Sequence, residues 1–162
     1  GVLAGRIGAA LVSTDAVRAE LATERGVPTT MWQQYEAGAY SPEMTAAVYE
    51  EMRRRARAHL QAGRAVILDG THRRAEDRTT ALAMARELGV PSLVVELRLD
   101  EELALQRLLA REATRGTTPD PDAYRRHVGE FDLPSPAEGN ILALDATQSL
   151  VTLAEQIEDA LG

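Results

Sequence analysis

The sequence contains no cysteine, which removes disulfides, thiolate zinc sites and cysteine nucleophiles and leaves the redox compartment open. It contains no lysine either, because all 18 basic residues are arginine. Schiff-base chemistry therefore has no residue here to carry it. No uninterrupted apolar run approaches the roughly 18 residues that a membrane span needs. An excess of positive charge is also missing: 25 acidic residues outnumber the basic ones and the formal net charge is −7. That is the wrong sign for a protein that grips nucleic acid mainly through its phosphates, so neither membrane nor nucleic acid is an expected partner. No basic and apolar leader opens the chain, and a cytoplasmic location is the expectation.

What is present suits one globular domain. The chain has 162 residues, 44% hydrophobic and 27% charged, enough for one sizeable core and not for two. The bias towards Ala, Arg, Gly and Leu is that of a GC-rich genome, which accounts for the arginine count without a phosphate site. There is no internal repeat and no low-complexity segment.

Short apolar runs alternate with helical periodicity. Val2, Leu3 and Ile7 open the chain at helix-like spacing. Ala9 to Thr14 reads as a buried strand, after which Asp15 begins or caps a helix carrying Val17, Arg18 and Leu21. From Thr23 to Tyr40 the pattern is irregular, with Trp32, Tyr35 and Tyr40, and such excursions often touch ligands. Ser41-Pro42 starts a helix whose Met44, Val48, Met52, Ala56 and Leu60 recur every four residues until Gly63. Its Arg53, Arg54, Arg55 and Arg57, beside Glu50 and Glu51, read as a solvated face. Ala65 to Leu68 followed by Asp69 is a second strand, Glu76 to Leu88 a helix closed by Gly89, and Ser92 to Leu99 a third strand. Asp100 caps a helix running to about Arg115, a Pro/Asp-rich stretch follows to Asp122, Asn140 to Leu144 is a fourth strand, and Leu150 to Leu161 is a closing amphipathic helix. Apolar strands separated by helices predict a doubly wound α/β fold with a parallel sheet covered on both faces.

In such sheets ligands bind beyond the carboxyl ends of the strands. Those ends carry Asp15, Asp69 with Thr71 and His72, Asp100, and Asp145. Carboxylates there can support a magnesium ion or take a proton from a hydroxyl, while Arg107, Arg111 and Arg115 at i, i+4 and i+8 can neutralise a phosphoryl group in transit. That constellation reads as phosphoryl transfer. On the residues alone, the arginines can equally pair with Glu101, Glu102 and Glu112.

Ser13-Thr14-Asp15-x-x-Arg18 after one strand, Ile67-Leu68-Asp69-Gly70-Thr71 after another, and Arg111-x-x-x-Arg115-Gly116-Thr117 before a Pro/Asp stretch resemble P-loop kinases. The branch is the one with bacteriophage polynucleotide 5′-kinase, gluconate kinase and small-molecule kinases, some fused behind an aminoglycoside phosphotransferase-like domain. The resemblance covers nearly the whole chain and implies a three-layer α/β/α fold over residues 1–162, with a lid at about 107–127. It implies ATP and Mg²⁺ as cofactors and a small hydroxyl acceptor such as a sugar, amino sugar or aminoglycoside-like molecule.

By the same resemblance Asp15 is the general base, with a helix N-cap as its plain structural alternative. Arg18 orients the acceptor, and Asp69 ends the Walker B strand and holds Mg²⁺ through water. Thr71 and His72 face the acceptor, Tyr40 with Trp32 and Tyr35 walls its pocket, and Arg111 and Arg115 close over the nucleotide phosphates. Arg107, one turn back, is a structural candidate.

The departure is the absent G-x-x-x-x-G-K-[ST]. The family's first strand lies mid-sheet, so these residues alone would leave a gap between strands. The expectation is therefore the C-terminal part of a longer polypeptide, with the first strand and P-loop upstream and a covalently fused N-terminal domain among the partners to look for. Polynucleotide 5′-hydroxyl kinase and a non-catalytic nucleotide-binding module stay open as alternatives.

Overall fold

Apolar runs of four or five residues form the strands, and each is bounded by glycine, a cap residue or a strand-ending carboxylate. The computed structural model describes residues 1–27, 38–114 and 121–162. In chain order the elements are α1 Val2–Ile7, β1 Ala10–Ser13, α2 Thr14–Arg25, α3 Pro42–Gln61, β2 Val66–Asp69, α4 Ala75–Glu87, β3 Val94–Arg98, α5 Glu101–Thr114, α6 Pro121–Gly129, β4 Ile141–Asp145 and α7 Leu150–Leu161. Short 3-10 turns at Gly38–Tyr40 and Pro136–Glu138 complete the list.

The strands pair in parallel, as their apolar character requires. β1 lies beside β2 with Ala10 opposite Val66 and Ser13 opposite Asp69. β3 lies beside β4 with Val94 opposite Ile141 and Arg98 opposite Asp145. Among the described residues these are two separate two-stranded sheets, β1 with β2 and β3 with β4.

Each sheet carries its own core. Around β1 and β2, Val12, Val17, Met44, Val48, Tyr49 and Met52 are buried together. α3 supplies four of these six, Met44, Val48 and Met52 from its four-residue stripe together with Tyr49, and Met52 and Val48 are fully buried. Each such side chain contributes roughly 1.5–3 kcal/mol. α3 begins where Ser41 accepts a hydrogen bond from the Met44 amide (3.2 Å) with Pro42 at the first position. Beyond its end Gly63 turns the chain at φ 71°. The second cluster is Leu144, Leu153 and Ile157, packed with Leu3, Leu93, Val95 and Leu142.

Leu3 ties the halves together, because α1 packs on α7 and runs straight into β1. Arg6 of α1 makes a two-pronged ion pair with Glu158 of α7 (2.7 Å for both contacts). No helix among the described residues is long and apolar enough to cross a membrane.

Three expectations change in detail. Strand one is Ala10–Ser13, so Thr14 already belongs to α2. α6 starts at Pro121, in the last residues of the Pro/Asp-rich stretch, and continues to Gly129. The cap of α2 is also not Asp15, and this bears on the site.

Candidate functional site

Ser13 ends β1 in extended conformation, and its hydroxyl accepts the Ala16 amide at 3.2 Å. It is therefore the N-cap of α2, and the capping alternative for Asp15 is overturned. Asp15 sits in the first turn of α2 with an exposed side chain. The parallel register sets Ser13 opposite Asp69, the last and exposed residue of β2. One step on, Gly70 lies so close to α2 that a Cβ on it would stand 2.5 Å from Cγ2 of Thr14. The Asp69-Gly70-Thr71 turn is thereby pressed against the turn that presents Asp15.

Tyr49 of α3 anchors the next residues. Its buried hydroxyl accepts the backbone N–H of His72 at 2.9 Å and lies 3.4 Å from the Thr71 hydroxyl. The two rings pack with centroids 5.1 Å apart. Burial raises the Tyr49 phenol above its ordinary range, so it stays protonated. Burial also pulls the His72 imidazole below its usual value, with the nearby Asp77 carboxylate opposing, and burial raises Asp77 in turn. A neutral imidazole therefore faces this end of β2 at neutral pH.

Arg18 is buried, and its guanidinium donates to the Ala39 carbonyl (2.6 Å) and the Thr45 hydroxyl (3.3 Å). It also lies 4.6 Å from the centre of the Tyr40 ring, a cation–π distance. Burial lowers its pKa, against the pull of Tyr40, Tyr49 and Asp15 around it. Arg18 thus holds the 38–40 turn and the Tyr40 ring against α2. Asp15, Arg18, Tyr40, Asp69, Thr71 and His72 gather at the carboxyl end of the first sheet.

The arginines of α5 are placed differently. Arg107 donates to the Ala146 carbonyl at 3.0 Å, the structural role anticipated for it. Arg111 is exposed in the last turn and pairs with Glu112 at 3.2 Å. Among the described residues no hydrogen bond or ion pair joins Arg111 to the Asp15–His72 cluster. Arg115, Trp32 and Tyr35 lie outside the described residues. A cavity of about 500 Å³ opens at the carboxyl ends of β3 and β4, lined by Arg98, Leu99, Asp100, Ala143, Leu144, Asp145 and Thr147. Asp145 is held below the usual carboxylate range by the Thr147 amide, which it accepts at 2.8 Å.

Among the described residues no group of three or more His, Asp or Glu side chains could cage a metal. Magnesium needs none, since it keeps several waters and is held by one or two carboxylates plus substrate phosphates. The exposed Asp69 carboxylate, at the end of β2 in register with Ser13 of β1, fits that mode of support.

Sequence reasoning did not find Tyr49, the Thr14–Gly70 approach, or a buried ion pair between Arg78 and Glu138. Tyr49 adjoins Val48 in an apolar stripe and reads as core, which it also is.

Comparison with known proteins bears on the family and the fold. The model of a family described as AAA domain matches residues 2–131. Uncharacterized proteins of Mycobacterium bovis and Mycobacterium tuberculosis are 36% identical over 107 residues, which is 65% of this chain and 21% of theirs. The chain thus spans about a fifth of the length of these relatives. A crystal structure of a "putative kinase" from Chloroflexus aurantiacus superposes with a TM-score of 0.69 at 18% identity, covering 98% of this chain and 85% of that one. At that identity the likeness concerns the fold, which is the mixed α/β fold of P-loop kinases.

Proposed function

The chain belongs to the AAA-domain family, a P-loop NTPase-like family, and from that premise we propose that it is a kinase transferring the γ-phosphoryl group of ATP to a hydroxyl of a small polar acceptor. The observation that carries the reading is the register of the first sheet. With Ser13 opposite Asp69 and Gly70 pressed on Thr14, a proton acceptor and a metal-supporting carboxylate come to the same strand ends as Thr71 and His72.

In the reaction the acceptor oxygen attacks the γ-phosphorus, and the bond from that phosphorus to the leaving oxygen of ADP breaks. Asp15 takes the proton released by the attacking hydroxyl. Its carboxylate is free for this because Ser13 does the capping. Thr71 offers a hydroxyl to the acceptor, and His72 a neutral imidazole. Tyr40, fixed by Arg18, walls the same side. Arg111, together with Arg115, neutralises the phosphoryl group in transit, exchanging its pairing with Glu112 for the phosphate. Asp69 would support a bound Mg²⁺ through water, and that ion would supply screening of the phosphate charge.

The cavity at the carboxyl ends of β3 and β4 is assigned to the base of the nucleotide. The greater length of the relatives supports a multidomain setting for this unit, and the acidic net charge favours a small acceptor over a polynucleotide.

The test is Asp15→Asn in the full chain, assayed with Mg·ATP and a panel of D-gluconate, D-glucosamine and kanamycin. The expected loss in kcat is about 10²–10⁴-fold, the range for removing a general base, with ATP affinity retained. Wild-type protein that phosphorylates no hydroxyl acceptor, or a variant that keeps full turnover, would overturn the reading.

A further inference from the structure

His72 is the one non-glycine residue with a positive φ among the described residues, at 41°. Such a backbone persists only where its surroundings over-determine it. Here both of its peptide groups are held by side chains from other elements. The N–H donates to Tyr49 (2.9 Å), and the carbonyl accepts from Nη1 of Arg78 at 2.8 Å.

Arg78 is itself immobilised. Only 4% exposed, it makes a two-pronged pair with Glu138, from Nε to Oε2 at 2.7 Å and from Nη2 to Oε1 at 2.9 Å. Glu138 is in turn fixed by a capping box, accepting the Ser135 amide at 3.1 Å. The same passing segment makes two more ties. The Asp132 amide donates to the Arg73 carbonyl (3.0 Å), and the Asp132 carboxylate accepts the Ala75 amide at 3.1 Å. Arg74, at the N-cap of α4, makes no side-chain cap bond, so Asp132 supplies that cap from 57 positions away.

A buried ion pair is weak support for a fold, since an apolar pair of like volume often serves as well. What an apolar pair cannot do is donate to the His72 carbonyl. We propose that Arg78 is a positioning residue for the acceptor loop: clamped by Glu138, it fixes the backbone at His72 and thereby sets where Thr71 and His72 meet the acceptor. The proposal rests on the reading above for what that loop faces.

The experiment compares wild type, Arg78→Met and Arg78→Met/Glu138→Met in the full chain, by urea unfolding and by hydrogen exchange of the His72 amide. The single variant, which strands Glu138, is expected to lose stability and His72 protection together. The double variant is expected to recover the urea midpoint while His72 exchange stays about tenfold or more faster, the scale of one lost charge-assisted hydrogen bond. For whichever panel compound wild type phosphorylates, KM rises by a similar factor and ATP affinity is unchanged. Wild-type exchange at His72 in the double variant would overturn the proposal.

If the methionine variants do not fold, Arg78→Lys decides. Lysine keeps the charge but lacks the planar fork by which Arg78 serves both oxygens of Glu138 and the His72 carbonyl together. Faster exchange at His72 with wild-type exchange in α7 supports the proposal, and unchanged exchange at His72 overturns it. Should no panel compound be phosphorylated, the kinase reading fails, while the exchange result still decides the role of Arg78.

Discussion

Replacing Gly70 by alanine tests whether the close approach of two turns builds the site. Gly70 does not have a positive φ, so alanine meets no backbone penalty and the whole effect is steric. The added Cβ would lie 2.5 Å from Cγ2, 3.2 Å from Oγ1 and 3.4 Å from Cβ of Thr14. Carbon atoms rest about 3.5–4.0 Å apart, so relief requires the two turns to separate by about 1 Å. Overpacking of this kind costs about 1–3 kcal/mol. The displacement falls between Asp15 on one side and Asp69 and Thr71 on the other, where an error of about 1 Å lowers turnover by about 10²-fold. Urea unfolding and steady-state kinetics on the full chain read both effects. Thr14→Ala removes the two closest atoms, so the double variant Gly70→Ala/Thr14→Ala should regain most of the lost stability, a coupling that a double-mutant cycle measures. A single variant as stable and active as wild type would refute the argument, as would a double variant that recovers nothing.

Two further outcomes follow from local chemistry. Ser13→Ala deletes the α2 cap and should cost about 1 kcal/mol in urea unfolding, whereas Asp15→Ala should leave the cap intact; equal losses would return the capping role to Asp15. The Glu51 carboxyl is held at about 2, from its ordinary 4.5, by hydrogen bonds from Arg54 and Arg55. Its folded pKa is depressed, so its stabilisation is complete above pH 4.5 and is lost as pH falls towards 2. Glu51→Gln should flatten the urea midpoint across that window, and an unchanged acid slope in the variant would contradict the assignment.

Much of the fold was legible because it rests on short-range signals. The four-residue stripe of α3, its Ser41-Pro42 start and the glycine beyond its end are all local, and so is the Asp100 carboxylate that accepts the Glu102 amide (3.1 Å) at the head of α5. α6 has no mark in the sequence because it is short and polar, with no apolar period of its own. The Ser13 cap was misassigned by two positions, since Ser13, Thr14 and Asp15 are all competent caps and only backbone conformation chooses among them. Arg18 read as a substrate-facing residue by its place in a motif, yet its side chain turns inward to Ala39 and Tyr40.

The sequence by itself determined the alternation of apolar strands and helices, the parallel pairing that follows from it, and the carboxylates at the strand ends. These depend on composition and on spacing within about ten residues. Only the tertiary structure decided that Ser13 stands opposite Asp69, that Gly70 touches Thr14, and that Glu138 reaches across the fold to hold Arg78 and through it His72. Those contacts join residues roughly 55 to 65 positions apart, where no periodicity operates. They form because burying the two cores brings separate elements together, leaving each polar group enclosed on the way to find a partner or be expelled.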